Sequence, residues 1–489
     1  MSGGFPAGVD MVFNSLIFLL FIALLLPAYW GLRSDGWRHP LLFAANFLFY
    51  GWWDWRFMAL LFGVMATTWA GGLWIASALG QAGRNPRRAL FWSCAVQLGV
   101  LGYFKYANFF SGSLQHALQA VGINPGWTTL NIILPAGISF YIFQAISYLA
   151  SIYQEKLAAE KNFVKLGVYL GFFPHLVAGP IIRAHYFLPQ LAAPRVFDGA
   201  LFFAGCRKFV IGLLYKAVFA DNLAAAVNPI YGSPAGQSGT AIFGACLGFY
   251  GQIYFDFAGY SLMAIGVANL LGYTLPDNFS FPYGAASLVD FWRRWHISLS
   301  TWLRDYVYIP LGGNRLGVPR QYGNLMVTML LGGLWHGANW NFVLWGGLHG
   351  LGLCANHLWS AAKHRFPFGD WAGGTAARIT GLAASWALVQ FFVFLCWVPF
   401  RAQSYADTGI IFQGLLAFFT GHGGAAKGFP WLLATVPLLV DTFIVSSRER
   451  AASGLIRNPV LATLIFSVSL LVIFLFMRSE RVPFIYFQF

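Results

Sequence analysis

Residues 321–362 read QYGNLMVTMLLGGLWHGANWNFVLWGGLHGLGLCANHLWSAA and contain no Asp, Glu, Lys or Arg. A helix crossing the hydrocarbon of a bilayer needs about 20 predominantly apolar residues. The stretch therefore has room for two crossings, or for one crossing and a re-entrant piece. Similar uncharged stretches lie between Arg56 and Arg84, from Tyr106 to Gln154, from Asn222 to Phe255, from Ile379 to Phe400 and from Asn458 to Met477. Hydrophobic residues make up 58% of the 489 positions and charged residues only 9%, where soluble domains carry about 25% charged residues. The expected fold is an all-α polytopic integral membrane protein with about 11 membrane helices, counted on the 20-residue rule.

The organisation expected is one membrane domain over 11–489, with residues 1–10 as an N-terminal extension. The first span, about Val12 to Leu32, has no basic segment ahead of it, and Arg33 and Arg38 follow it in place of a small-residue cleavage site. It reads as a retained helix, not a signal peptide. The net charge of +14 fits basic cytoplasmic loops, such as Arg84/Arg87/Arg88 and Arg448/Arg450/Arg457. No long basic tail points to nucleic acid. The cysteines Cys94, Cys206, Cys246, Cys354 and Cys396 are isolated, which suggests apolar fillers and neither a disulfide framework nor a zinc site.

No internal repeat or attached soluble domain is visible, so any chemistry must use residues within or beside the membrane. Three segments interrupt the apolar runs: Leu134–Phe140, Phe173–Pro180 and 308–324, each rich in Pro or Gly. Irregular backbone at membrane depth survives only when buried in protein or lining a watery cavity. Pro-kinked helices remain the alternative.

Two segments carry candidate chemistry. Wound as one helix at about 100° per residue, 286–306 places Leu288, Phe291, Trp295, Leu299, Trp302 and Tyr306 on one stripe. Asp290, Arg293, Arg294, Thr301, Arg304 and Asp305 fall opposite. His296 falls at the border of the stripe. So charged a helix lies at an interface or lines a cavity, and an interfacial anchor explains it as well as a site does. The second segment is 332–342, where glycines flank His336. An ionisable residue inside a span is costly and points to function, and a neutral imidazole is a natural general base. A structural histidine bonding between helices explains it equally well. For His349, His357, His175 and Asp256 a structural role is expected, with a partner or watery niche required for Asp256. No metal-type spacing, G-x-S-x-G element, P-loop or dinucleotide fingerprint appears.

At these residues the chain resembles the membrane-bound O-acyltransferase family, and within it the bacterial branch that acetylates exported polysaccharides. The resemblance rests on NFLFYGWWDWRF (46–57), LPAGISFYIFQAISYLASIY (134–153), FFPHLVAGPIIR (172–183) and YFDFAGYSLMAIGVANLLGY (254–273). It continues through FPYGAASLVDFWRRWHISLSTWLRDYVYIPLGGNR (281–315), LLGGLWHGANWNFVLWGGLHG (330–350) and the end RVPFIYFQF. It implies that His336 is the catalytic histidine and His296 the second characteristic polar residue. It implies a ring of membrane helices, with re-entrant and interfacial helices, around a central tunnel. It also implies acetyl transfer from cytoplasmic acetyl-CoA across the inner membrane to a polysaccharide such as alginate or cellulose, finished by a periplasmic SGNH-type partner, with no tightly bound cofactor and no metal. Arg293, Arg294, Arg304, Asp305, Arg315, Asn339 and Trp335 are candidates for donor or substrate binding, with lipid headgroups as the competing partner of the arginines. The rival classes are a transporter or channel without covalent chemistry, and a relative with another acceptor, through D-alanyl transfer or lipidation.

Overall fold

In hydrocarbon every backbone N–H and C=O must pair internally, and a chain this apolar answers with helices. The computed structural model describes residues 11–127, 130, 132–365, 375–424, 431–439, 442, 459–478 and 482–485. Among them every regular element is helical. The expected extension 1–10 and the basic loop 448–457 lie outside the described residues. Helix starts follow local sequence. The side chains of Ser15, Asn85, Asn162, Ser287 and Ser404 each accept a backbone N–H of the helix that follows, which satisfies one of the orphan donors of the first turn.

Among the described residues four helices are long and apolar enough to cross a membrane: Arg56–Leu79, Gly199–Gly232, Gly239–Leu270 and Arg378–Arg401. Leu16–Gly31, Ile138–Tyr153, Tyr405–Phe419 and Thr463–Phe476 are apolar but shorter. Large apolar side chains stand outward on them, including Leu24, Phe62, Leu388, Leu416 and Phe474. Large outward apolar side chains of this kind fit a lipid surround.

The chain divides into two compact units. The first comprises Met1–Phe209 and Tyr260–Pro276. In it two of the irregular segments meet. Gly137 has φ +71°, and its Cα packs against the Leu176 carbonyl so closely that a Cβ would collide with it. The Tyr50 hydroxyl donates to the Ala136 carbonyl at 2.9 Å, and the Phe173 N–H donates to Asn46 Oδ1 at 3.0 Å. His175 is fully buried, with Nδ1 3.0 Å from Gln144 Nε2. Gln144 is thus its hydrogen-bond partner.

The second unit comprises Val210–Gly259 and Asp277–Phe489. The niche required for Asp256 is found here. Lys216 Nζ lies 2.7 Å from Asp256 Oδ1 and 2.8 Å from Asp221 Oδ1, all three side chains being buried. Lys216 Nζ also donates to the Val482 carbonyl at 3.0 Å, and the Ile485 N–H donates to Asp256 Oδ2 at 2.7 Å. A buried charge cluster thereby holds the backbone of Val482 and Ile485.

One expectation is corrected in this unit. Residues 286–306 do not form one helix. Leu288–Arg294 ends at Trp295, which is extended, and Ile297–Leu303 begins after His296, which is left-handed at φ 43° and ψ 55°. A wider π turn, Arg304–Tyr308, follows. The apolar stripe survives the break, for Leu288, Phe291, Trp295, Leu299 and Trp302 are all buried. Helical periodicity gives the stripe but cannot register a one-residue reversal inside it.

Candidate active site

The site lies in the second unit and is built by a helical hairpin and by the break at His296. The helix Val318–His336 stops at Gly337, which is extended, and the chain returns as Trp340–Arg365. The two helices pack backbone to backbone, since a Cβ on Gly333 would strike the Phe342 carbonyl and one on Gly346 would strike that of Met329. Only glycine permits so close an approach. This holds His336 at the end of its helix, buried. The ring centroid of Trp345 stands 4.9 Å from that of His336 at 88°, Trp335 at 5.0 Å and Phe400 at 5.2 Å. These edge-on aromatic contacts fix the orientation of the imidazole.

His296 is fully buried, with its ring centroid 6.4 Å from that of His336. Trp335 lies 5.6 Å from it and Phe257 4.6 Å. Its left-handed backbone costs about 1–3 kcal/mol for a residue other than glycine, and Asn278 holds it there. The Asn278 carbonyl accepts the Ile297 N–H at 2.9 Å, and Ser280 N–H donates to the Arg294 carbonyl at 3.0 Å. Asn278 Oδ1 accepts from Ser298 N–H at 3.2 Å and from the Ser298 hydroxyl at 2.9 Å, and it lies 3.2 Å from His296 Nδ1.

That last contact fixes a tautomer. The backbone N–H of Ser298 can only donate, so the Asn278 atom facing it is the amide oxygen. The oxygen can only accept, so His296 Nδ1 carries the proton and, in the neutral ring, Nε2 carries the lone pair. His296 lies outside the spanning helices, and burial pushes its pKa down to about 3. It is therefore neutral near pH 7, and its Nε2 is an acceptor.

Of the other candidate residues, Trp335 joins the pair directly and is buried. Asn339 sits in the turn between the hairpin helices, where its Oδ1 accepts the Asn341 N–H at 2.9 Å. Arg294 bonds Asp290 at 3.0 Å, one helical turn away. Arg293 is exposed. Arg304 pairs with its neighbour Asp305 at 2.8 Å, largely in the open. Arg315 is exposed. Four residues of the site, Phe257, Asn278, Trp345 and Phe400, were not singled out by sequence. Asn278 stands in the turn-rich stretch LPDNFSFPYG (275–284), where an Asn side chain commonly bonds nearby backbone. Phe400 reaches His336 from a distant helix, so no spacing reports it.

The chain matches the family model described as MBOAT, membrane-bound O-acyltransferase family, over residues 160–396. It is 39% identical over 412 residues to a probable alginate O-acetylase of Pseudomonas putida, covering 83% of this chain and 81% of the relative. It is 31% identical over 438 residues to a peptidoglycan O-acetyltransferase of Helicobacter pylori, covering 83% and 80%. It is 30% identical over 321 residues to a teichoic acid D-alanyltransferase of Bacillus subtilis, covering 59% of this chain and 80% of the relative. A helical membrane protein with one buried histidine at the end of a glycine-packed hairpin and a second at a helix break beside it is thus one of a class of acyl-transfer enzymes. The chain belongs to the membrane-bound O-acyltransferase family and is a multi-pass membrane O-acyltransferase.

Proposed function

We propose that this protein moves an acetyl group from a cytoplasmic thioester, acetyl-CoA, across the inner membrane for O-acetylation of an exported polysaccharide such as alginate or cellulose, with a periplasmic SGNH-type partner completing the transfer. The observation that carries the reading is the juxtaposition of His336 and His296, both buried, with ring centroids 6.4 Å apart. The names of the relatives support an acetyl group and a cell-surface polymer. The D-alanyl relative matches a smaller share of this chain, which favours acetyl over D-alanyl. By family resemblance, about 11 crossings with re-entrant and interfacial segments form a ring around a tunnel that brings donor and acceptor to the histidines from opposite faces.

In the reaction His336 removes the proton from the attacking hydroxyl as the oxygen forms its bond to the thioester carbonyl carbon. The C–S bond breaks, and the proton passes from His336 to the thiolate, so the atoms balance with no external base. His296, neutral and with an acceptor at Nε2, orients the hydroxyl or the His336 N–H. A neutral acceptor is unsuited to bind the developing oxyanion, which needs a donor. Arg293, Arg294, Arg304 and Arg315 are placed in this reading at the donor's phosphates, for which guanidinium geometry is suited. Asp305 fits there as the partner that orients Arg304, and Asn339 as a cap on the turn beside His336.

Inverted inner-membrane vesicles given acetyl-labelled CoA test this reading. Label should reach polymer or partner on the far side in vesicles with this protein and not in vesicles without it. Equal labelling in both would sink the donor assignment.

A further inference from the structure

One face of the helix Trp340–Arg365 carries polar groups that the reaction above does not use. Trp345, His349, Gly352 and Asn356 follow one another at helical spacing and face the short helix Leu288–Arg294. Asn356 Oδ1 accepts the Leu288 N–H at 2.9 Å, and a Cβ on Gly352 would strike Leu288 and Phe392. His349 is fully buried. Its ring centroid lies 4.8 Å from that of Trp345, 5.1 Å from Trp292, 5.7 Å from Phe392 and 6.2 Å from Phe291.

Neither ring nitrogen of His349 has a hydrogen-bond partner among the described residues, and the same holds for the indole Nε1 atoms of Trp292 and Trp345. All four atoms are closed off from solvent. A buried donor or acceptor left unmatched is unfavourable, and native interiors leave few of them. Four in one aromatic box call for a guest that brings both a donor and an acceptor. Trp345 is shared with the candidate site, because its ring centroid also lies 4.9 Å from that of His336.

We propose that His349, with the indole N–H groups of Trp292 and Trp345, holds a secondary amide of the pantetheine arm that carries the acyl thioester. A secondary amide offers a carbonyl to the indole donors and an N–H to an imidazole nitrogen. In pantetheine the first amide follows the sulfur after an ethylene link, so an amide held at His349 keeps the thioester near Trp345, the ring that also touches His336. The assignment rests on the thioester-donor reading above. It applies to coenzyme A and to an acyl carrier protein alike, since both carry the arm.

The test is donor kinetics of the full-length protein in its own membranes. Acetyl-CoA, an acetylated carrier protein, S-acetylpantetheine and the amide-free S-acetyl-2-mercaptoethanol are compared in wild type, His349→Phe and His349→Gln. His349→Phe keeps the ring and removes the polar atoms. It should raise KM for S-acetylpantetheine, and for whichever of the two carriers wild type uses, by about tenfold, the loss of one to two buried hydrogen bonds. Its kcat should stay within about twofold, and its handling of the amide-free donor should follow wild type. His349→Gln should recover part of the loss. An equal loss on all donors would mark His349 as packing and overturn the proposal, as would no change on any. If wild type accepts none of the four thioesters, the donor reading falls first and this assignment falls with it.

Discussion

His296 Nδ1 lies 3.2 Å from Asn278 Oδ1, an atom that also accepts both the backbone N–H and the hydroxyl of Ser298. One amide oxygen therefore sets the tautomer of the imidazole, caps the helix Ile297–Leu303 and stabilises a left-handed residue. Asn278→Ala removes the acceptor that faces the Ser298 N–H and hydroxyl and His296 Nδ1. It should lower stability by about 2–3 kcal/mol and acyl transfer by more than tenfold at matched protein level. Asn278→Asp keeps the acceptor and adds a buried negative charge beside the ring, which raises the His296 pKa. Its pH–rate profile should lose activity at a higher pH on the acid side than wild type, and an unshifted profile would count against the contact.

The hairpin depends on two glycines with backbone carbonyls against their Cα atoms. Gly333→Ala and Gly346→Ala should each separate the helices near His336, at a cost of roughly 1–3 kcal/mol from overpacking. Melting temperature in detergent should fall for both. Gly347→Ala, whose Cβ meets only a flexible Leu330 methyl at 3.7 Å, should melt like wild type.

The Lys216–Asp221–Asp256 cluster predicts an asymmetry. Lys216→Met leaves two buried carboxylates facing each other. Removing one member of a buried pair typically costs about 3–5 kcal/mol, so membrane accumulation of this variant should collapse. Asp256→Asn leaves one Lys–Asp pair intact and should be milder. The two losing equal amounts of protein would show that the cluster does not act as an ionic unit.

Acid should destabilise the fold through its buried histidines. Burial pushes His296 and His175 down to about 3, against an ordinary value near 6.5. The unfolded chain thus takes up protons that the folded chain refuses as pH falls below about 6.5. The stability present above that pH is lost on acidification towards 3, at roughly 1 kcal/mol per pH unit per group. Melting in detergent should be lower at pH 5 than at pH 7. His175→Gln, where Gln can still bond Gln144, should flatten that slope if it folds, and an unchanged slope would contradict the assignment.

Much of this was legible in the sequence, and for identifiable reasons. Uncharged runs mark membrane helices because a charge in hydrocarbon is expensive, and the same cost singled out His336 and Asp256. The Pro- and Gly-rich segments announced irregular backbone, and two of them do meet at Gly137 and Leu176. The break at Trp295–His296 was not legible. A continuous helix and a broken one bury the same stripe, and the residue that stabilises the break, Asn278, lies 18 positions earlier. Nor was the box around His349 legible, because Trp292, Trp345 and Phe392 come from three separate helices. Periodicity ranks faces of one helix and is silent on which faces meet.

The most direct test of the central claim is polymer-bound acetate in cells producing wild type, His336→Ala or His296→Ala, with the membrane level of each protein matched. Acetate should disappear in His336→Ala and fall at least tenfold in His296→Ala while both proteins remain in the membrane. Wild-type acetate in His336→Ala would contradict that claim and would remove that histidine from the chemistry.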